Sequence, residues 1–174
     1  MNMRSVRELL VVVGVLGMPP PSYGYRAKVN TTTVRVHDCK GSEIEITITK
    51  SGFVDTPRVE YRGMHVFVDS VRIYGCVMEP PKFILSKVHI VYNGREIRVP
   101  DSLLCDMGNP NLRTTHNRTI QVELSSDCHS LLVFMNNGDG AGVYSVLWVI
   151  NLNTSNVTRH VEDMGDSFFY NIEQ

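Results

Sequence analysis

This chain has no strong field of one sign. Its 17 Lys and Arg face 18 Asp and Glu, a formal net charge of -1. Nucleic acids and anionic membranes select proteins with a basic surface, so neither is an expected partner. After the N-terminal segment, no apolar run approaches the roughly 20 residues that a membrane-spanning helix needs. Sustained helical periodicity is missing as well. The cysteines form no C-x-x-C pair, which sets aside the common zinc and redox arrangements. The 6 histidines show neither H-x-H nor H-E-x-x-H spacing, so no metal site and no cofactor is expected. There is no G-x-S-x-G nucleophile elbow. With 43% hydrophobic residues in 174, the chain still has enough apolar material for a folded core.

The beginning of the chain has the pattern of an export signal. Arg4 and Arg7 form a positive region, followed by the apolar run LLVVVGVLGM at residues 9–18 and then Pro19-Pro20-Pro21. The apolar run is too short to span a bilayer, and Ser22 and Gly24 place small residues at −3 and −1 of a cleavage after Gly24. Residues 1–24 are therefore read as a signal peptide and 25–174 as a single β-sandwich domain, secreted or periplasmic.

Export gives the four cysteines their meaning. In an oxidising compartment Cys39, Cys76, Cys105 and Cys128 are read as two disulfides, with three possible connectivities. Cys105 and Cys128 bracket a polar segment, so the expected pairs are Cys105–Cys128 and Cys39–Cys76. N-x-S/T sequons at Asn30, Asn117, Asn153 and Asn156 would be glycan acceptors in a eukaryotic host.

Short alternating runs dominate the rest. Ile44, Ile46 and Ile48 fall on one face and Glu45, Thr47 and Thr49 on the other, as in an antiparallel strand with one wet face. The alternation in residues 58–69 changes phase after Gly63, which suggests a bulge. Asn93-Gly94 between residues 83–92 and 95–99 predicts a hairpin with a type I′ turn. Pro100-Asp101-Ser102 offers a helix start, but Gly108-Asn109-Pro110 stops it soon after. Further strands are expected at 29–37, 120–124, 157–161 and 168–172. The fold class is all-β, an antiparallel sandwich or flattened barrel with at most one short helical turn near residues 102–107.

The densest apolar stretch is residues 131–152, LLVFMNNGDGAGVYSVLWVINL. Two buried strands, expected to form the central pair, flank a loop made almost wholly of Gly, Asn and Asp. The Gly138–Gly142 segment contains G-x-G-x-G. A dinucleotide site needs a helix after that pattern, whereas the residues that follow are β-branched and aromatic. Asn136, Asn137 and Asp139 offer oxygens to a cation, but one carboxylate is too few for calcium. Trp148 lies mid-strand and is read as core. Tyr144 stands where loop meets strand. It is either a core tyrosine or a phenol projecting from the loop rim, where it would give a large contact area with a hydrogen-bonding tip.

Ala141-Gly142-Val143-Tyr144 resembles the Ser-Gly-x-Tyr motif of bacterial periplasmic inhibitors of invertebrate-type lysozyme. These are small exported β-sandwich proteins whose motif inserts into the lysozyme cleft. Gly142 and Tyr144 match, and Ala141 stands in place of the serine, without its hydroxyl donor. The resemblance implies a partner-binding loop containing Asn137, Asp139, Gly140, Ala141, Gly142 and Tyr144, and a hydrolase as the protein partner. No catalytic residue is assigned. Two other classes compete with this reading. One is a small secreted hydrolase using turn carboxylates among Asp101, Asp106, Asp139, Glu162, Asp163 and Asp166, although a glycosidase needs two of them held across a cleft. The other is a structural or cell-surface module whose loop has no partner.

Overall fold

The computed structural model describes residues 28–54, 58–113, 119–137 and 142–163. The expected leader, the sequon at Asn117 and the expected strand at 168–172 lie outside them. The described residues form an all-β fold. Eleven strands occur in chain order: β1 Val29–His37, β2 Glu43–Gly52, β3 Val59–Arg62, β4 His65–Val68, β5 Val71–Val77, β6 Phe83–Tyr92, β7 Arg95–Arg98, β8 Ile120–Leu124, β9 Ser130–Asn137, β10 Tyr144–Asn151 and β11 Val157–Asp163. The short helical turn is a 3-10 turn at Asp101–Leu103.

Two four-stranded antiparallel sheets, ordered β1-β2-β6-β7 and β11-β10-β9-β8, make the sandwich, and a three-stranded sheet β3-β4-β5 is added to it. Period-two alternation builds the core. Ile44, Ile46 and Ile48 from one sheet meet Leu131, Val133, Met135, Val146, Trp148 and Ile150 from the other in one buried cluster. The small sheet has its own cluster, Val66, Ile73 and Cys76, with Ile84 of β6 packed against it. Trp148 is fully buried, as expected, and its indole N–H donates to the Leu103 carbonyl at 3.3 Å. β9 and β10 are the inner strands of their sheet. They do not bury both faces evenly, however, because Leu132, Phe134, Leu147 and Val149 are only half-buried.

The Asn93-Gly94 turn is found where expected, with φ of 51° and 72° and Tyr92 paired to Arg95. Gly63 is not a bulge. It sits in the two-residue turn between β3 and β4, and Arg62 pairs with His65 across it. A two-residue turn and a bulge both interrupt the alternation, so the sequence does not separate them. Register shifts lie between His65 and Val66, just after that turn, where β4 pairs with β5, and between Thr49 and Lys50, where β2 pairs with β6.

The expected cysteine pairing is corrected. Cys39 is bonded to Cys128, with Cα atoms 6.2 Å apart, while Cys76 is free and buried and Cys105 free and exposed. Cys39 lies in the β1–β2 turn and Cys128 in the β8–β9 turn. The bond therefore ties one sheet to the other across one end of the sandwich. Cys76 points into the small core, and Cys105 follows the 3-10 turn.

Candidate functional site

Antiparallel topology sorts the connections between two ends. The β1–β2, β6–β7, β8–β9 and β10–β11 turns gather at the disulfide end. Arg95 of the β6–β7 hairpin donates there to the Asn153 carbonyl at 3.0 Å. The β9–β10 connection lies at the opposite end, together with the start of β6 and the end of β11. Its residues 138–141, including Asp139, Gly140 and Ala141, fall outside the described residues. Its two roots are described, and they show how it is held.

Tyr144 is one root. The side chain is fully buried, so the phenol does not project from the rim. It instead donates to the Gly108 carbonyl at 3.1 Å, and its ring lies 6.1 Å from that of Tyr74. Burial raises its pKa, with the nearby Cys76 and Asp106 adding to the shift. Its role is therefore that of a neutral donor. Two glycines make room for it. A Cβ on Gly75 would come within 2.4 Å of the Gly108 carbonyl oxygen and 2.6 Å of Tyr144 Cε1, and Gly75 holds φ of +78°. A Cβ on Gly108 would meet Cys76 Sγ at 2.7 Å. Only glycine allows β5, the 104–108 segment and the tyrosine to come this close.

Asn137 is the other root. It is 3% exposed, and its Oδ1 accepts the Asn111 amide at 2.6 Å. Among the described residues its Nδ2 has no acceptor. Tyr144 and Asn137 face each other in the β9–β10 register. Gly142 returns the chain against β5, where its Cβ position lies 3.4 Å from the Gly75 carbonyl carbon and 3.6 Å from Val77 Cγ2. Asn136 is exposed, and its amide donates to the Thr119 carbonyl at 2.7 Å. The connection thus leaves a clamp whose inner members are buried and hydrogen-bonded.

Ion pairs brace this end. Arg159 of β11 holds Asp106 through two bonds, at 2.5 and 2.9 Å, both groups mostly buried. Arg72 of β5 donates to Asp163 and, at 2.9 Å, to His65 Nδ1. Asp101 accepts from Arg98 at 2.9 Å. Three of the turn carboxylates considered for hydrolysis are therefore each committed to an arginine, on three separate elements. Asp139 and Asp166 lie outside the described residues. Among the described residues there is no cluster of three or more His, Cys, Asp or Glu side chains placed to hold a metal.

Asn137, Gly142 and Tyr144 were legible in the sequence as contact-loop residues, with Tyr144 open between core and rim; the structure places Tyr144 in the core. The sequence reading missed Gly75, Gly108 and Asn111, the residues that clamp them. One signal was available: Gly75 interrupts an apolar strand, a common mark of close backbone approach. Among the described residues no helix is long and apolar enough to cross a membrane. No protein-family model, curated protein or solved structure matches the chain.

Proposed function

We propose that the chain is an exported binding protein that engages another protein through the 136–144 connection, most sharply as an inhibitor of a secreted hydrolase such as a lysozyme. The observation that carries this reading is the clamp on both roots of the connection. With both roots buried and hydrogen-bonded, the two ends of the connection are fixed before a partner arrives, which favours it as a contact element. The all-β sandwich and the inter-sheet disulfide are compatible with life outside the cytosol. The division of labour differs from the one the resemblance implies. Tyr144 and Asn137 hold the connection, while Asn136 and residues 138–141 carry the contact. Asp139 would meet a basic residue of the partner, because catalytic acids in a hydrolase cleft would repel it.

The test is an inhibition titration of purified protein against a panel of lysozymes, following lysis of bacterial cells. Inhibition of one type, weakened by Asn136→Ala with Asp139→Ala while the unfolding temperature holds, is the expected result. No inhibition across the panel would end the lysozyme form of the proposal. Inhibition indifferent to both substitutions would move the contact elsewhere.

A further inference from the structure

Lys50 lies where a lysine is least expected. It continues the period-two face of Ile44, Ile46 and Ile48, the core face of β2. The register with β6 breaks at this point: Thr49 pairs with Lys87 and Lys50 with Leu85, which leaves Ser86 unpaired. Bulges of this kind re-aim side chains and are common beside functional sites. The bulge itself is fastened, since Ser86 Oγ meets Ser51 Oγ at 2.8 Å and donates to the Thr49 carbonyl at 3.2 Å.

The lysine opens onto a cavity of about 360 Å³ at the same end of the molecule as the β9–β10 connection. Phe83, Pro80 and Val77 give the cavity apolar walls, and Lys82 and Glu79 stand on its exposed side. Asn109 anchors the wall: its Oδ1 accepts the Lys82 amide at 2.8 Å and its Nδ2 donates to the Gly75 carbonyl at 3.3 Å. Lys50 Nζ donates one proton to the Pro110 carbonyl at 2.8 Å and sits 4.8 Å above the Phe83 ring. Among the described residues no carboxylate pairs with it, and Glu79 forms no ion pair with either lysine. Burial lowers the Lys50 pKa, and the positive charges of Lys28 and Arg113 lower it further. A half-buried cation crowded by like charges is stabilised by an incoming anion.

We infer that this cavity binds a small organic carboxylate, with its anionic group on Lys50 and its apolar body against Phe83, Pro80 and Val77. Apolar side chains set among a few polar groups, here Lys50, Asn109, Lys82 and Glu79, are the usual make-up of a small-ligand site, and the volume is within the range for one. This inference is independent of the protein-binding proposal, because Lys50 and Phe83 lie on β2 and β6 rather than on the β9–β10 connection.

The experiment is an NMR titration of the ¹⁵N-labelled full chain with decanoate, with decanol and acetate as matched probes. Decanoate should shift the amides of Val77, Lys82 and Phe83 saturably. Decanol lacks the charge and should bind at least about tenfold more weakly, the ratio that one charge-assisted hydrogen bond supplies, and acetate, which keeps the charge, should also bind at least about tenfold more weakly because it lacks the apolar chain that the walls bury. Lys50→Met should weaken decanoate by about the same factor, and Lys50→Arg should keep most of the affinity. Equal binding of decanol and decanoate would overturn the inference, as would shifts confined to other residues. So would full affinity in a folded Lys50→Met protein; should Lys50→Met not fold, the comparison of decanol with decanoate on the unaltered protein decides.

Discussion

Tyr144 owes its buried position to two neighbours, Gly75 and Gly108. A tyrosine between a glycine loop and an apolar strand suits a binding rim as well as a core. What settles its place is Gly75, whose missing side chain leaves room for the ring, and the Gly108 carbonyl, which needs a donor. The two contacts predict different costs. Tyr144→Phe removes a buried hydrogen bond and should lower stability by about 1 to 2 kcal/mol. Gly75→Ala adds a Cβ at positive φ against a backbone oxygen and should cost more, about 2 to 4 kcal/mol. Urea unfolding of both variants checks the order, and a reversed order would contradict the packing described. Asp38 carries a second residue-scale prediction. Burial works to raise its carboxyl pKa, but the Tyr92 hydroxyl at 2.8 Å and the Ser42 and Lys40 amides outweigh burial and hold it below the ordinary value. A carboxylate depressed on folding stabilises the fold above its unfolded pKa, near 4, and that contribution is lost as pH falls through the folded value. Tyr92→Phe should therefore flatten the loss of stability below about pH 4, measured as unfolding temperature against pH. An unchanged slope would show that Asp38 does not depend on this bond.

At the scale of elements, the strands were legible and some of the joints were not. Ile44, Ile46 and Ile48 announce their strand because period-two alternation is a local property. Asn93-Gly94 announces its turn because few residues accept both positive φ values. Cysteine pairing is a long-range property. Cys105 and Cys128 are near in sequence, yet the bond joins Cys39 to Cys128 across 89 positions. A clue was present in the context of each residue. Cys39 and Cys128 lie among Asp, Ser, Gly and Lys in turns, whereas Cys76 stands in an apolar strand. The consequence is a defined order of thiol reactivity. In the folded protein iodoacetamide should modify Cys105 first. Cys76 is 7% exposed and its thiol is pushed up to about 12 by burial, so it should react only on unfolding. Cys39 and Cys128 should label only after reduction. Replacing both by serine should cost about 2 to 4 kcal/mol, read by denaturant unfolding. Mass mapping that found Cys39 joined to Cys76 would contradict the topology. The register shift at Lys50 was likewise invisible, since Ser86 differs from a regular strand residue only through its partner strand.

The whole molecule has two ends with different constructions. One end is closed by the Cys39–Cys128 bond and four tight turns. The other presents the β9–β10 connection from a buried clamp, with the Lys50 cavity nearby and the Arg72–Asp163 and Arg159–Asp106 pairs bracing it. The sequence pointed to this end through its glycines; of the residues it named, Asn137 and Tyr144 are buried at the base of the connection, while Asp139, Gly140 and Ala141 lie outside the described residues. Under the proposed function this end meets the partner, and inhibition measured for two sets of substitutions, one at each end, tests that placement. Asn136→Ala and Asp139→Ala should each weaken inhibition of a sensitive hydrolase by about tenfold, the loss expected on truncating one contributing contact residue. Lys40→Ala and Asn153→Ala, at the disulfide end, should leave it unchanged. The reverse pattern, with inhibition lost at the disulfide end and kept at the clamped connection, would contradict the account.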